Sequence, residues 1–125
     1  MFGREVARHM LPRGRGTILF SGASAALRGK AAFAAFAAAK AGLRMVSQSF
    51  ARELGPRGIH VAHAIIDGSI DGDRIFRVVP DMAQRKGPDG LLDPDAIADG
   101  YWYLHNQHRS AWTQELDFRP YAETF

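Results

Sequence analysis

The feature that most constrains the fold is a pair of buried-strand runs separated by one long helical segment. The run Ile59 to Ile66 reads Ile-His-Val-Ala-His-Ala-Ile-Ile, and the run Thr17 to Gly22 is also apolar without clean alternation. Strands of this kind are typical of a parallel sheet that is covered on both faces. The segment between them, Ala31 to Leu54, has helical periodicity, with one apolar stripe: Phe36, Leu43, Val46, Phe50 and Leu54. Strand, helix and strand in this order predict a βαβ unit.

The flanking segments extend this alternation in both directions. They predict a helix that ends before Pro12, a short helix at 81–85, a helix over 93–106 with Asp93 as its N-cap, and a strand over 111–118. The fold class is therefore α/β, a single domain over residues 1–125 with about three parallel strands and flanking helices. Three strands are few for an open sheet of this kind. We expect the chain to be the C-terminal half of a doubly wound, Rossmann-like sheet.

Composition and charge exclude several classes of function. The chain has 16 basic and 13 acidic residues, a net charge of +3, and no continuous basic stripe, so we expect no nucleic-acid partner. It has no cysteine, which excludes disulfide scaffolds and cysteine-ligated zinc. No apolar run reaches the ~18 residues of a membrane-spanning helix, so we expect a cytoplasmic protein without a membrane partner. His60 and His63 lie three apart on a strand and point to opposite faces, so we expect no metal site.

Three runs in order carry a resemblance to a known family. They are Gly16-Thr-Ile-Leu-Phe-Ser-Gly-Ala-Ser24, Phe36-Ala-Ala-Ala-Lys40 and Ile59-His-Val-Ala-His-Ala-Ile-Ile-Asp-Gly68. In this order and spacing they resemble the C-terminal half of the short-chain dehydrogenase/reductase superfamily. There a strand ends in a catalytic serine, a long helix carries Tyr-x-x-x-Lys, and the next strand ends in a Pro-Gly loop that holds the nicotinamide. The resemblance implies an NAD(P)-dependent oxidoreductase acting on a small alcohol or carbonyl compound.

The resemblance assigns catalytic positions that this sequence fills in an unusual way. Phe36 stands in the tyrosine slot and has no proton to give, whereas Lys40 stands in the lysine slot. Positions four apart share one helix face, and in the family the ammonium lowers the pKa of the phenol from its usual value of about 10. Counting back from Phe36 by the family's interval puts Ala23 in the serine slot, with Ser24 and Ser21 close by.

The cofactor positions implied by the resemblance are Lys40, which would hold the nicotinamide ribose, and the loop Asp67, Gly68, Ser69 and Ile70, which replaces the Pro-Gly loop. The cofactor would be NAD or NADP. No G-x-G-x-x-G follows a strand in this sequence, and Gly14-Arg15-Gly16 precedes one, so it is only a turn signal. We therefore expect the chain alone to bind neither NAD nor NADP tightly.

Two other functions stay open. The chain could be a non-catalytic interaction module that forms a homo-oligomer through the helix over 31–54, as the family's long helices do. It could also be an unusual reductase in which Ser24, or a water held by Lys40, replaces the phenol.

Overall fold

The structure is a computed structural model that describes residues 2–124. It contains five α-helices and three β-strands, with short 3-10 turns between some of them. The elements are α1 (Phe2–Met10), β1 (Gly16–Ser21), α2 (Ala34–Leu54), β2 (Ile59–Ile66), α3 (Asp73–Val78), α4 (Met82–Lys86), α5 (Pro94–Asn106) and β3 (Glu115–Phe118). Among the described residues, no helix is both long and apolar enough to span a membrane.

The three strands form one parallel sheet in the order β1-β2-β3. The register pairs Ile18 with Val61 across β1 and β2, and His63 with Glu115 across β2 and β3. β2 is buried along almost its whole length because it has a neighbour on each side and helices above and below. This confirms the predicted α/β class with three parallel strands.

Helices cover both faces of the sheet. On one face, Ile18, Ile59 and Val61 pack with Ala7 of α1 and Leu54 of α2 to form the core. On the other face, the side chains that alternate with these on β1 reach α5, because successive strand residues point in opposite directions. The molecule therefore has three layers, which is the doubly wound arrangement.

Two predicted boundaries are wrong by more than one residue, whereas β1 and the short helix α4 are shifted by one. The long helix begins at Ala34 instead of residue 31, because a turn from Lys30 to Phe33 and a positive φ of 68° at Ala32 precede it. The last strand begins at Glu115 instead of residue 111, because the His108 side chain accepts a bond from the Ser110 amide and starts a 3-10 turn. The helix α3 was not predicted at all. The polar sequence between Asp67 and Gly90 carries no periodic apolar signal that would mark it.

The apolar stripe predicted on α2 is buried at one end and exposed at the other. Leu54 is buried in the core, whereas Phe36 is 48% exposed. Phe36 lies in the first turn of α2, beyond the carboxyl edge of the sheet, so no strand lies beneath it. Its ring is consequently free to line a cleft.

Candidate functional site

A cleft of about 670 Å³ opens at the carboxyl ends of β1 and β2, and we call it the carboxyl-edge cleft. This edge is where open parallel sheets hold their ligands, because the loops that follow the strands converge there. The cleft brings together most of the residues predicted as a site: Ala23, Ser24, Phe36, Asp67, Gly68 and Ser69 all line it. Lys40 and Ile70 are not in its lining. Ile70 instead forms an isolated bridge with Leu92 beside it.

Lys40 lies one helical turn from Phe36, as the four-residue spacing predicts. Its ammonium donates a hydrogen bond to the backbone oxygen of Ser21 at 3.0 Å and lies 5.7 Å from the centroid of the Phe36 ring. The first contact fixes the charge at the carboxyl end of β1, and the second is a cation–π contact. The helix therefore does place this ammonium beside the aromatic ring that occupies the tyrosine slot.

The loop after β1 offers one hydroxyl near the serine slot. Ala23 has extended backbone geometry and precedes a 3-10 turn, Ser24–Ala26. It carries no polar side-chain atom, whereas the half-buried Ser24 lines the cleft. Ser24 is thus the hydroxyl group that this loop presents to the carboxyl-edge cleft.

Asp67 ends β2 as a buried, ion-paired carboxylate. Arg28, from the loop after β1, lies 3.4 Å from its Oδ1, and Arg119, which follows β3, lies 3.3 Å from its Oδ2. A buried carboxylate needs such partners, because burial without them carries a large desolvation cost. Through these ion pairs Asp67 connects the segments that follow β1, β2 and β3. The ion pairs therefore help to fix the shape of the carboxyl-edge cleft. The sequence pattern did not reveal Arg28 or Arg119, since both are distant from Asp67 along the chain.

A pair of hydroxyls lies at the end of β1: Ser21 was predicted to lie near the serine slot, but its partner Tyr101 was not predicted. The Ser21 hydroxyl is 2.7 Å from the phenol oxygen of Tyr101 on α5. Ser21 therefore bonds Lys40 through its backbone and Tyr101 through its side chain. The only signal in the sequence is the position of Ser21 at the end of a strand, because Tyr101 comes 80 residues later.

Comparison with known proteins identifies the family. The model for short chain dehydrogenases matches residues 1–77. The chain belongs to the short-chain dehydrogenase family. Members of this family are NAD(P)-dependent oxidoreductases, and the resemblance read from the sequence is confirmed. No curated protein matches the chain.

Solved structures agree with this assignment. A short-chain dehydrogenase from Rhodopseudomonas palustris shares 49% identity at a TM-score of 0.72, covering 95% of this chain and 45% of that protein. A 7α-hydroxysteroid dehydrogenase complexed with NADH and 7-oxo glycochenodeoxycholic acid shares 25% identity, with a TM-score of 0.77 and coverages of 94% and 48%. A serine dehydrogenase complexed with NADP+ shares 19% identity, with a TM-score of 0.82 and coverages of 98% and 51%, and shows the fold alone. The chain spans about half the length of these structures.

A network of polar side chains lies on the α2 face of the sheet. Arg44 of α2 makes two hydrogen bonds of 2.7 Å to Glu115, and Glu115 lies 3.0 Å from Nδ1 of the fully buried His63. The ring of His63 occupies the space where residue 22 would carry a Cβ, so Gly22 is required there. The hydrogen bonds from Arg44, more than those from His63, hold the pKa of Glu115 below its ordinary value, against the opposing effect of burial.

This lowered pKa makes stability depend on acid pH. A carboxylate with a depressed pKa in the folded state stabilises the fold above its unfolded-state value of 4.5, and that contribution is lost as pH falls through the folded-state pKa. We expect the free energy of unfolding to drop more steeply below about pH 4.5 in the wild type than in Glu115→Gln. Urea unfolding at a series of pH values from 7 to 3 measures how the free energy of unfolding of each protein depends on pH. A stability difference between the two proteins that stays constant over this range would contradict the prediction.

The residues of this edge fit the nicotinamide end of NAD(P). The Lys40 ammonium lies beside the Phe36 ring, which lines the carboxyl-edge cleft, and the cleft has small residues on the β1 side and Gly68 and Ser69 on the β2 side. Residues 2–124 contain no glycine-rich turn after a strand that would bind the pyrophosphate of the cofactor. The glycines Gly14 and Gly16 precede β1 and so lie at the opposite edge of the sheet. Within the same residues, no group of three or more His, Asp or Glu side chains is arranged to hold a metal ion.

Proposed function

We propose that this chain forms the substrate side of an NAD(P)-dependent oxidoreductase site for a small alcohol or carbonyl compound. The observation that carries the proposal is the Phe36–Lys40 pair at the carboxyl-edge cleft, with the Lys40 ammonium held by the Ser21 carbonyl. The family's lysine has this place on the helix and holds the nicotinamide ribose. The dinucleotide-binding half of the family's fold must come together with this chain for the site to be complete.

The chain's own residues have distinct roles in this proposal. Lys40 would hold the nicotinamide ribose, and the loop Asp67-Gly68-Ser69-Ile70 would face the carboxamide, with Asp67 fixed by its two arginine partners. When bound, the cofactor supplies or accepts the hydride. Because Phe36 cannot exchange a proton, the Ser24 hydroxyl or a water held by Lys40 would exchange it with the substrate oxygen. Phe33 and Phe36 provide an apolar wall for the substrate.

Cofactor binding tests this proposal directly. We expect the chain alone to show no saturable binding of NADPH or NADH at low micromolar concentration, because the pyrophosphate lacks a glycine-rich turn and a helix N-terminus. With the dinucleotide-binding half added in trans or by fusion, binding should appear, and Lys40→Met should weaken it about 10-fold. Calorimetry measures both. Arg52→Met on the same helix is the control and should leave affinity unchanged. Micromolar binding by the chain alone, or equal affinities for the two variants, would contradict the proposal.

A second candidate function is a non-catalytic, self-associating module, which the exposed face of α2 favours. Met45 is 51% exposed, and Gly42 on the same face has open space around it. Small residues allow two helices to approach closely, and an exposed apolar side chain gains from being covered. This face would pair with the same face of a second copy.

Self-association has its own test. We expect a homodimer at tens of micromolar by light scattering, and we expect Met45→Glu to weaken it at least 10-fold, because the helix contact would bury two like charges. Val78→Glu places the same charge on α3, at a side chain that is 73% exposed, and should not change association. A monodisperse monomer in the wild type would contradict the prediction.

A further inference from the structure

A second cleft lies at the opposite edge of the sheet, where β1 and β2 begin and α5 ends. We call it the amino-edge cleft. Its volume is about 450 Å³, and its lining includes Arg13, Arg15, Thr17, His60, His105 and Trp112. No aspartate or glutamate is among its lining residues. It shares no residue with the carboxyl-edge cleft.

The mouth of the amino-edge cleft carries uncompensated positive charge. Arg13 and Arg15 are both exposed, and neither has an ion-pair partner within residues 2–124. The guanidinium of Arg109 adds a third cation, since its Nη2 lies 3.5 Å from where a Cβ on Gly58 would be. Like charges gathered at a concave surface attract an anion, and guanidinium groups bind the oxygens of carboxylate and phosphate in a bidentate manner.

The loop that carries the two arginines is held firmly against the sheet. Gly58 has a φ of 85°, and a Cβ there would overlap the carbonyl oxygen of Gly14. Gly14 itself has a φ of 60° and closes a turn onto Leu11 with a 3.1 Å hydrogen bond. Both positions suit glycine because side chains rarely adopt this backbone region. The backbone between Arg13 and Arg15 is therefore preorganised, which lowers the entropic cost of binding a ligand.

One wall of the amino-edge cleft is a pair of flat rings. His60 stacks on Trp112, with 4.9 Å between ring centroids and 5° between planes. Nε2 of His60 donates to the Thr113 carbonyl oxygen at 2.8 Å, since that oxygen can only accept. Nδ1 is then a buried atom that makes no hydrogen bond within the described residues.

We propose that the amino-edge cleft binds a small organic anion, namely a flat ring that carries an oxyanion group. The oxyanion pairs with Arg13 and Arg15, and the ring packs against Trp112, which lines the cleft and is backed by the buried His60 ring. The volume lies within the range of small-molecule sites. Phosphate and carboxylate share the required chemistry, and the test separates them. The site is independent of the proposed oxidoreductase chemistry, which belongs to the other edge of the sheet.

Calorimetry with three probes at low ionic strength tests the proposal: phenyl phosphate, benzoate and inorganic phosphate. We expect saturable binding of phenyl phosphate or benzoate that is at least 10-fold tighter than that of inorganic phosphate, and the tighter of the two identifies the oxyanion. Arg15→Gln should weaken binding about 10-fold, and removing both Arg13 and Arg15 should abolish it. Arg74→Gln, an exposed arginine of α3, makes the same change in net charge and should have no effect. The indole signal of Trp112 should shift on binding in the NMR spectrum of the wild type.

Three results would overturn the proposal. They are no binding by the wild type, equal weakening by Arg74→Gln and Arg15→Gln, and inorganic phosphate binding as tightly as both aromatic probes. Absence of binding would mean that the amino-edge cleft is not a site. Equal weakening by the two variants would mean that the probes bind through general charge attraction. Equally tight binding of inorganic phosphate would mean that the aromatic ring of the probe makes no contribution. Unchanged melting temperatures of the variants show that any loss of binding comes from the site.

Discussion

Replacing Phe36 by tyrosine should raise NADPH-dependent turnover of small carbonyl compounds by about 10²-fold, once the dinucleotide-binding half of the fold is present. Phe36→Tyr adds a hydroxyl to a ring that lines the carboxyl-edge cleft, with the Lys40 ammonium 5.7 Å from its centroid. The ammonium would lower the pKa of the new phenol, which could then act as a general acid. Because the ring is 48% exposed, the hydroxyl can reach water and the fold should keep its stability. NADPH consumption and the melting temperature are measured on the same proteins.

The chain offers a matched control for this substitution. Phe33 also lines the carboxyl-edge cleft and has its own cation–π partner, with the ammonium of Lys30 5.9 Å from its ring centroid. Phe33 does not occupy the tyrosine slot, so Phe33→Tyr should not reproduce this gain in turnover, and adding Lys40→Met to Phe36→Tyr should remove it. A destabilised and inactive Phe36→Tyr protein would mean that Phe36 is a packing residue and that this position has no catalytic role.

Removing the carboxylate of Glu115 should lower the free energy of unfolding by about 2–3 kcal/mol. Glu115→Ala leaves the fully buried His63 without its Nδ1 partner and Arg44 without its bidentate partner. The pKa of Arg44 is raised chiefly by its hydrogen bonds to Glu115, so the pairing favours the charged form of the guanidinium. Chemical denaturation followed by circular dichroism measures the loss.

The control for this loss lies two residues along β3. Asp117 pairs with Arg119 at 2.7 Å, but its side chain is 52% exposed, and Arg119 keeps Asp67 as a partner. Asp117→Ala should therefore cost less than about 0.5 kcal/mol, as exposed ion pairs do. In the Glu115→Ala background, Arg44→Met should cost much less than it does alone, because the shared network is already broken. Equal losses from Glu115→Ala and Asp117→Ala would show that the buried network adds no stability.

Local sequence signals predicted the elements that bury long apolar runs or carry strong caps. β2 was predicted at its observed bounds because its eight residues are mostly apolar, are rich in β-branched side chains and have a glycine close to each end, which is typical of a strand covered on both faces. The helix α5 was predicted because Asp93 and Pro94 mark its start, and the Asp93 carboxylate does accept from the Asp95 amide at 2.9 Å. Where such signals were absent, as at α3 and at the start of β3, the predictions failed.

The spacing of residues within one element likewise predicted part of the site. Phe36 and Lys40 lie on one helix, so their four-residue interval fixes their proximity regardless of the rest of the fold. Asp67 was placed correctly at the end of β2, but its arginine partners come from the segments after β1 and β3. The contact of Ser21 with Tyr101 and the contacts of Glu115 with His63 and Arg44 also join residues that are far apart in the sequence. Sequence periodicity contains no information on which distant side chains meet.

The sequence by itself determined the α/β class and the helical pair Phe36–Lys40, because they depend on periodicity and on a short interval along the chain. It also determined the family, because three runs in order resemble those of short-chain dehydrogenases. The tertiary structure alone decided that the Phe36 ring faces a cleft instead of the core, and that Asp67 is enclosed by two guanidinium groups. It alone also decided that Arg13 and Arg15 gather beside the His60–Trp112 rings at the amino edge. The physical reason is that burial and ion pairing depend on the register and stacking of the whole sheet, which bring together residues far apart in sequence.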